Sequence, residues 1–134
     1  MRGEYATMTE RILIVEDDEG RCNWFRAQLL NYELDITCDV TEAICWLKER
    51  DYRVIFLDHD LVTEQYEATD FDDERTGYAV AQWLAAHPEY QREAEIVIHS
   101  LNYPGAERML RVLQESGRQA RHIPFTTLMM DPPL

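Results

Sequence analysis

Short apolar runs alternate with stretches of helical spacing along this chain of 134 residues. The run R-I-L-I-V at 11–15 stops abruptly at Glu16-Asp17-Asp18-Glu19. A continuous apolar run, unlike an alternating one, predicts a strand buried on both faces. Cys22, Phe25 and Leu29 then recur at helical spacing and predict a helix within 20–31. Residues 34–40 form a second, more polar strand. Thr41 is the expected N-cap of a helix whose inner stripe is Ala43, Ile44 and Leu47. Y-R-V-I-F-L at 52–57 is the third strand and ends in Asp58-His59-Asp60. Residues 62–76 are polar and acidic and read as an inserted, exposed loop. A helix over 77–87 turns Val80, Trp83 and Leu84 inward and stops at Pro88. Ile96–98 is a fourth strand that runs into His99-Ser100-Leu101-Asn102. Ala106, Met109, Leu110 and Leu113 mark the next helix, with Gly117 just past its end. Residues 120–123 form a weak fifth strand before Pro124.

Strict alternation of strand and helix calls for a parallel sheet with helices on both faces. One domain is expected over 11–125, with a tail at 1–10 and a short tail at 126–134 containing Pro132-Pro133. That tail is too short for a full fifth helix. The apolar sheet surface it would leave bare points to a homodimer.

Charge then narrows the partners. Thirteen Lys+Arg against 26 Asp+Glu give a net charge of −13. Such a surface repels phosphate backbones and anionic lipid, so binding to duplex DNA or a membrane through a basic face is excluded. Hydrophobic content of 46% with three Trp excludes a disordered acidic tail. Cys22, Cys38 and Cys45 are odd in number and hold no CxxC, so neither a disulfide framework nor a zinc site is expected. Residues 1–10 have no apolar signal core and no run is long enough to span a membrane. The expected compartment is the cytoplasm.

In parallel sheets of this kind, ligands bind outside the carboxyl ends of the strands. Three of the five predicted ends carry Glu16-Asp17-Asp18, Asp58-His59-Asp60 and His99-Ser100-x-Asn102. With strands in the order 2-1-3-4-5, Asp17 and Asp58 become neighbours. Converging carboxylates repel unless they share a proton or bind a cation, and oxygen ligands suit Mg²⁺. Ser100 could contact a phosphoryl group there. Asp18 and Glu19 read equally well as a solvated acidic helix start. Asn102 reads either as a ligand contact or as a cap on the turn into Pro104-Gly105.

I-L-I-V-E-D-D at 12–18, I-F-L-D at 55–58, I-V-I-H-S at 96–100 and I-P-F at 123–125 resemble the response-regulator receiver (CheY-like) superfamily. The resemblance implies an α/β, flavodoxin-like three-layer sandwich around a five-stranded parallel sheet, its fifth helix here short or missing. It also implies an acidic pair at Glu16 and Asp17, a phosphoacceptor at Asp58 and a phosphate contact at Ser100. Mg²⁺ would be held by Asp17 and Asp58 together with the carbonyl of Asp60. The departures are a Lys position filled by Ile123, a switch-aromatic position filled by Ala120, and the loop inserted at 62–76.

Histidine is what this chain adds. L-D-H-D-L at 57–61 and H-S-x-N-x-P-G-A at 99–106 resemble a divergent branch, the cyclic-phosphate processing receiver domains. Taken singly, His59 or His99 reads as a packed strand-end residue. As a pair on adjacent strands they could lie together and supply the acid and base that open a cyclic phosphodiester. His122 could stand in for the missing Lys. The expected activity is therefore handling of a phosphoryl group by a Mg²⁺ pocket, on a cyclic-phosphate nucleotide or RNA end. Two alternatives are a stand-alone two-component receiver phosphorylated on Asp58 by a histidine kinase, and a binding module without turnover.

Overall fold

The structure is a computed structural model and describes residues 10–61 and 75–134. The apolar runs form strands and the helical-period segments form helices, in strict alternation: β1 (Arg11–Val15), α1 (Glu19–Gln28), β2 (Glu33–Thr37), α2 (Val40–Glu49), β3 (Val54–Leu57), α3 (Gly77–Ala86), β4 (Glu95–Ile98), α4 (Tyr103–Glu115), β5 (Ala120–His122) and α5 (Phe125–Met130). The strands form one parallel sheet in the order β2-β1-β3-β4-β5. All of β3 is buried, whereas edge strand β2 is only partly so, as the polarity of its sequence requires.

Side chains of a strand alternate between the two faces of the sheet, and the core divides accordingly. Leu13, Val15, Ile55, Leu57, Ile96 and Ile98 pack against Ala43 and Leu47 of α2, Val80 and Leu84 of α3, and Ala106 and Met109 of α4. Ile12, Ile14, Val54, Phe56 and Val97 pack against Phe25 and Leu29 of α1 and Phe125 and Leu128 of α5. The result is a three-layer α/β sandwich. At the end of the sheet away from the strand tips, the Asp35 carboxylate accepts from Arg11, Arg50 and the Tyr52 hydroxyl, tying β1 and β2 to the segment that leads into β3.

Three expectations change. Helix α2 starts two residues earlier than the Thr41 cap implies, because Asp39 is the N-cap and its carboxylate accepts from the Thr41 N–H. Residues 125–130 are a helix, not tail. Its Phe125 and Leu128 are buried and cover the sheet face whose exposure suggested a homodimer. Trp83 is only partly buried, stacked on His87, which caps α3. Of the inserted loop expected over 62–76, residues 62–74 lie outside the described residues, as does most of the tail at 1–10. Among the described residues, no helix is long and apolar enough to cross a membrane.

The start of α3 presses directly on the end of β3. Thr76 caps the helix, and the Gly77 N–H donates to the His59 carbonyl at 2.8 Å. A Cβ on Gly77 would lie 1.7 Å from the Asp58 carbonyl oxygen. Only glycine allows this approach. Gly117, by contrast, has open space around it but a φ of +91°. Gly77→Ala is therefore expected to destabilise the fold by about 3 kcal/mol, the upper range for overpacking. Gly117→Ala should cost about 1 kcal/mol through its backbone conformation alone. Urea denaturation of the two variants reads the order, and a Gly77→Ala variant as stable as wild type would refute the close packing.

Candidate functional site

Strand register builds the site. Val15 pairs with Leu57, and Leu57 pairs with Ile98. The ladder runs one residue further, with the Asp58 N–H donating to the Val15 carbonyl and the His99 N–H to the Leu57 carbonyl, each at 3.0 Å. Glu16, Asp58 and His99 are thus the next row across β1, β3 and β4, and all three are at most 5% exposed. One carboxylate oxygen from each acid and one imidazole nitrogen lie within 4.8 Å of one another, close enough to hold a metal ion.

The two carboxylates have very different surroundings. Glu16 Oε1 accepts from His99 Nε2 at 2.7 Å and from Arg21 Nε at 3.0 Å. Its Oε2 accepts from Arg21 Nη2 at 3.0 Å and from the backbone N–H groups of Asp17 and Asp18 at 3.1 and 2.9 Å. Burial alone would raise the Glu16 carboxyl. The bonds from His99 and Arg21 outweigh it and hold the group well below the usual carboxylate range. Asp58 has less support: its own His59 N–H at 2.8 Å, and the Arg21 guanidinium at 3.6 Å. Burial pushes its carboxyl up to about 6, with nearby Glu16 adding to the rise and His99 opposing it.

A cleft of about 200 Å³ opens beside this row, lined by Arg21, Asp58, Asp60, His99, Ser100, Leu101 and Asn102. The Ser100 Oγ accepts from the Asn102 N–H at 2.9 Å. Of the two roles considered for Asn102, the structure shows the cap. Its Oδ1 caps α4 through the Gly105 N–H, while its amide donates to Asp60 at 3.2 Å on the cleft wall.

The register separates the two histidines. His99 is level with Asp58, so His59 lies one residue beyond the row and faces the other way. His99 packs against Phe25, Phe56 and Phe125 on the α1 and α5 side. His59 lies against α4, where a Cβ on Gly105 would sit 2.6 Å from its ring. The His59 Nδ1 donates to Asp60 at 2.6 Å, and its Nε2 has no partner among the described residues. The expectation that both imidazoles meet on one side is thereby corrected, the cause being a shift of one residue in register. Asp17 likewise lies one residue past the row and is not part of the cluster. His122 donates to the Ser100 carbonyl at 2.9 Å, and Ile123 packs into the core beside α5, so neither supplies a cation to the cleft.

The cation comes from Arg21, which the sequence reading passed over. A signal was present. A positive side chain in the first turn of a helix opposes the helix dipole, so it asks for an anionic partner. The buried Cys22 thiol, pushed up to about 11 mainly by burial, is no nucleophile.

The unequal solvation of the two acids gives a pH signature. A carboxyl raised from 3.8 to about 6 favours folding while protonated. That advantage is complete below about pH 4 and is lost as pH rises through 6. Asp58→Asn removes the dependence. Relative to wild type in the absence of metal, the variant should gain about 3 kcal/mol between pH 4 and pH 7. Urea melts across that range check it, and a constant difference would show that Asp58 is not desolvated.

The family model of the cyclic-phosphate processing receiver domain matches residues 12–115. No curated protein matches the chain. Solved structures show the same fold at low identity. A CheY-like response regulator receiver domain protein from Methanospirillum hungatei is 17% identical with a TM-score of 0.62, covering 95% of this chain and 84% of its own. The non-phosphorylated HemR receiver domain from Leptospira biflexa is 21% identical with a TM-score of 0.63, covering 91% and 90%. The response regulator TrrA from Thermotoga maritima, solved in complex with Mg²⁺-BeF, is 16% identical with a TM-score of 0.62, covering 87% and 86%. The strand-end acids, the receiver fold and the match over most of the sequence agree: this chain belongs to the cyclic-phosphate processing receiver domain family.

Proposed function

We propose that the cleft processes a phosphoryl group carried as a cyclic phosphate on a nucleotide or RNA end, acting in the cytoplasm as a Mg²⁺-dependent cyclic phosphodiesterase. The observation that carries this reading is the buried Glu16–His99 pair beside Asp58, the Glu16 oxygen 2.7 Å from His99 Nε2. An ionised carboxylate on Nε2–H fixes the imidazole tautomer and leaves the lone pair on Nδ1. That nitrogen is buried and has no partner among the described residues, which leaves its lone pair to serve as a general base for a water admitted with the substrate. Ring opening needs such a group. A water oxygen bonds to phosphorus, one phosphorus–ribose oxygen bond breaks, and the water's proton ends on the released ribose oxygen.

Asp58 suits a divalent ion best, since the lone pairs of Glu16 are already engaged. Asp60, which also lines the cleft, would join it, while Glu16, with its oxygens engaged, and Asp17, one residue past the row, would add negative charge nearby without binding the ion. Mg²⁺ bound there would neutralise charge on the phosphoryl oxygens. Ser100 and Asn102 would contact the phosphoryl group, and His59 would orient Asp60. A net charge of −13 favours a single nucleotide or an RNA end over a long RNA.

The test is ³¹P NMR of 2′,3′-cyclic nucleotides incubated with the protein, with and without Mg²⁺. Ring opening is expected, slowed about 100-fold or more in His99→Ala, the range for loss of a general base. His59→Ala should be the milder variant, because that ring does not line the cleft. Ring opening unaffected by His99→Ala would refute the assignment.

A second reading has its own support. Asp58 is the less supported of the two buried acids and stands at the end of β3, so it could accept a phosphoryl group from a partner histidine kinase. Acetyl phosphate with Mg²⁺ distinguishes the two: labelling of wild type but not of Asp58→Asn, without any cyclic phosphodiesterase activity, would establish phosphorelay.

A further inference from the structure

Two carboxylates, Asp58 and Asp60, line the cleft, and a third, Glu16, is buried behind it. A phosphate ester entering this space meets like charge. Among the described residues lining it, Arg21 is the only arginine or lysine. We propose that Arg21 is the phosphate-binding cation of the cleft, a side chain that holds Glu16 with one edge of its guanidinium and takes a phosphoryl oxygen with the rest. This inference rests on the reading of the cleft as a phosphoryl site.

The geometry is specific to a guanidinium. Nε and Nη2 hold the two oxygens of Glu16, each at 3.0 Å, and Nη2 also lies 3.6 Å from Asp58 Oδ2. A guanidinium has five N–H donors, and Nη1 carries two of them. A lysine ammonium is a single point charge and cannot grip a carboxylate in two places while offering a separate face to a phosphate. The head group is steadied from the α5 side by the Phe125 ring, whose centroid is 5.9 Å from the Arg21 Cζ. Its side chain is 30% exposed, against 0% for Glu16, so solvent and ligand reach the arginine and not its partner. Arg21 lies beside the Asp58 carboxylate, and Ser100 adds a hydroxyl to the same lining.

Asp58 is the group that must yield. A divalent ion held by Asp58 would compete with Arg21 for that carboxylate, where the guanidinium contact is only 3.6 Å. The guanidinium would then keep Glu16 and the Phe125 ring as its supports, with more of its donors turned to the ligand. Ion and phosphate should therefore bind with positive coupling, and the coupling should depend on Arg21.

Inorganic phosphate titrated into the whole chain by calorimetry, with and without millimolar Mg²⁺, tests the assignment. Wild type should bind phosphate more tightly with Mg²⁺. Arg21→Gln should bind it at least tenfold more weakly and lose the coupling. Arg21→Lys should be intermediate. Should Arg21→Gln fail to melt cooperatively, because buried Glu16 has lost its counter-charge, the wild-type chain carries the test instead. Phosphate must then shift the guanidinium N–H resonances of Arg21 in ¹⁵N NMR. Folded Arg21→Gln binding phosphate within twofold of wild type, or Arg21 resonances unmoved at saturating phosphate, would make the residue a counter-ion of Glu16 and nothing more. Wild type that binds no phosphate with or without Mg²⁺ is a separate result, which overturns the phosphoryl reading of the cleft and this inference with it.

Discussion

The register of three parallel strands decides what this protein can do. Because Val15, Leu57 and Ile98 are level, the residues that follow them are level too, and those residues are Glu16, Asp58 and His99. A slip of one residue in any of the three strands would turn its polar tip to the other face and its apolar partners out of the core. The hydrophobic alternation that fixes the core thus also fixes the site. Ile12 and Ile14 must face α1 while Leu13 and Val15 face α2 to α4, and Glu16 then has no choice of side.

Bringing two acids into a buried row has a cost that must be met locally, since an uncompensated buried charge is strongly destabilising. The structure meets it unequally. Glu16 receives donors from Arg21, His99 and two backbone N–H groups, and so remains an anion even where water cannot reach it. Asp58 is left with one backbone donor and a distant guanidinium, and burial raises its carboxyl. One acid is a fixed structural charge. The other is a charge in need of a partner, and the opening of the cleft beside it gives a ligand access. Unequal support of two neighbouring acids is a common way for a site to assign them different roles.

Much of this was legible in the chain. Apolar runs mark β1, β3 and β4, because a strand covered on both faces must be apolar throughout, while the edge strands β2 and β5 are more polar and carry a weaker signal. The polar tips of β1, β3 and β4 stood out because nothing in the core explains them. Which residue at each tip belongs to the site was not legible. Asp17 and His59 are as polar as Glu16 and His99, and only the pairings Val15↔Leu57 and Leu57↔Ile98, facts of tertiary structure, separate them. Arg21 was hidden for another reason. On a helix an arginine is an ordinary surface residue until its partner is known, and Glu16 lies on a different element. The shortness of α5 was legible, but its existence was not. Phe125 and Leu128 are spaced as one helical turn, too few positions for a periodic signal, and tertiary packing alone makes them a helix.

The helix starts complete the argument by explaining why the tip of β3 holds its shape. Two glycines stand where helices meet this loop: Gly77, against the Asp58 carbonyl, and Gly105, against the His59 ring. In both places a Cβ would collide, so α3 and α4 approach more closely than any other residue would permit. His59 fills the space under α4 and passes a hydrogen bond to Asp60, which Asn102 also holds while capping the same helix. The segment carrying Asp58 is therefore clamped by backbone and ring contacts on the side away from Glu16 and His99. A carboxylate that must meet a ligand at a fixed distance gains from such a support, because its position then depends on packing and not on the ligand. His59 thus packs behind the wall of the cleft, against α4, while His99, one residue different in register, lines it.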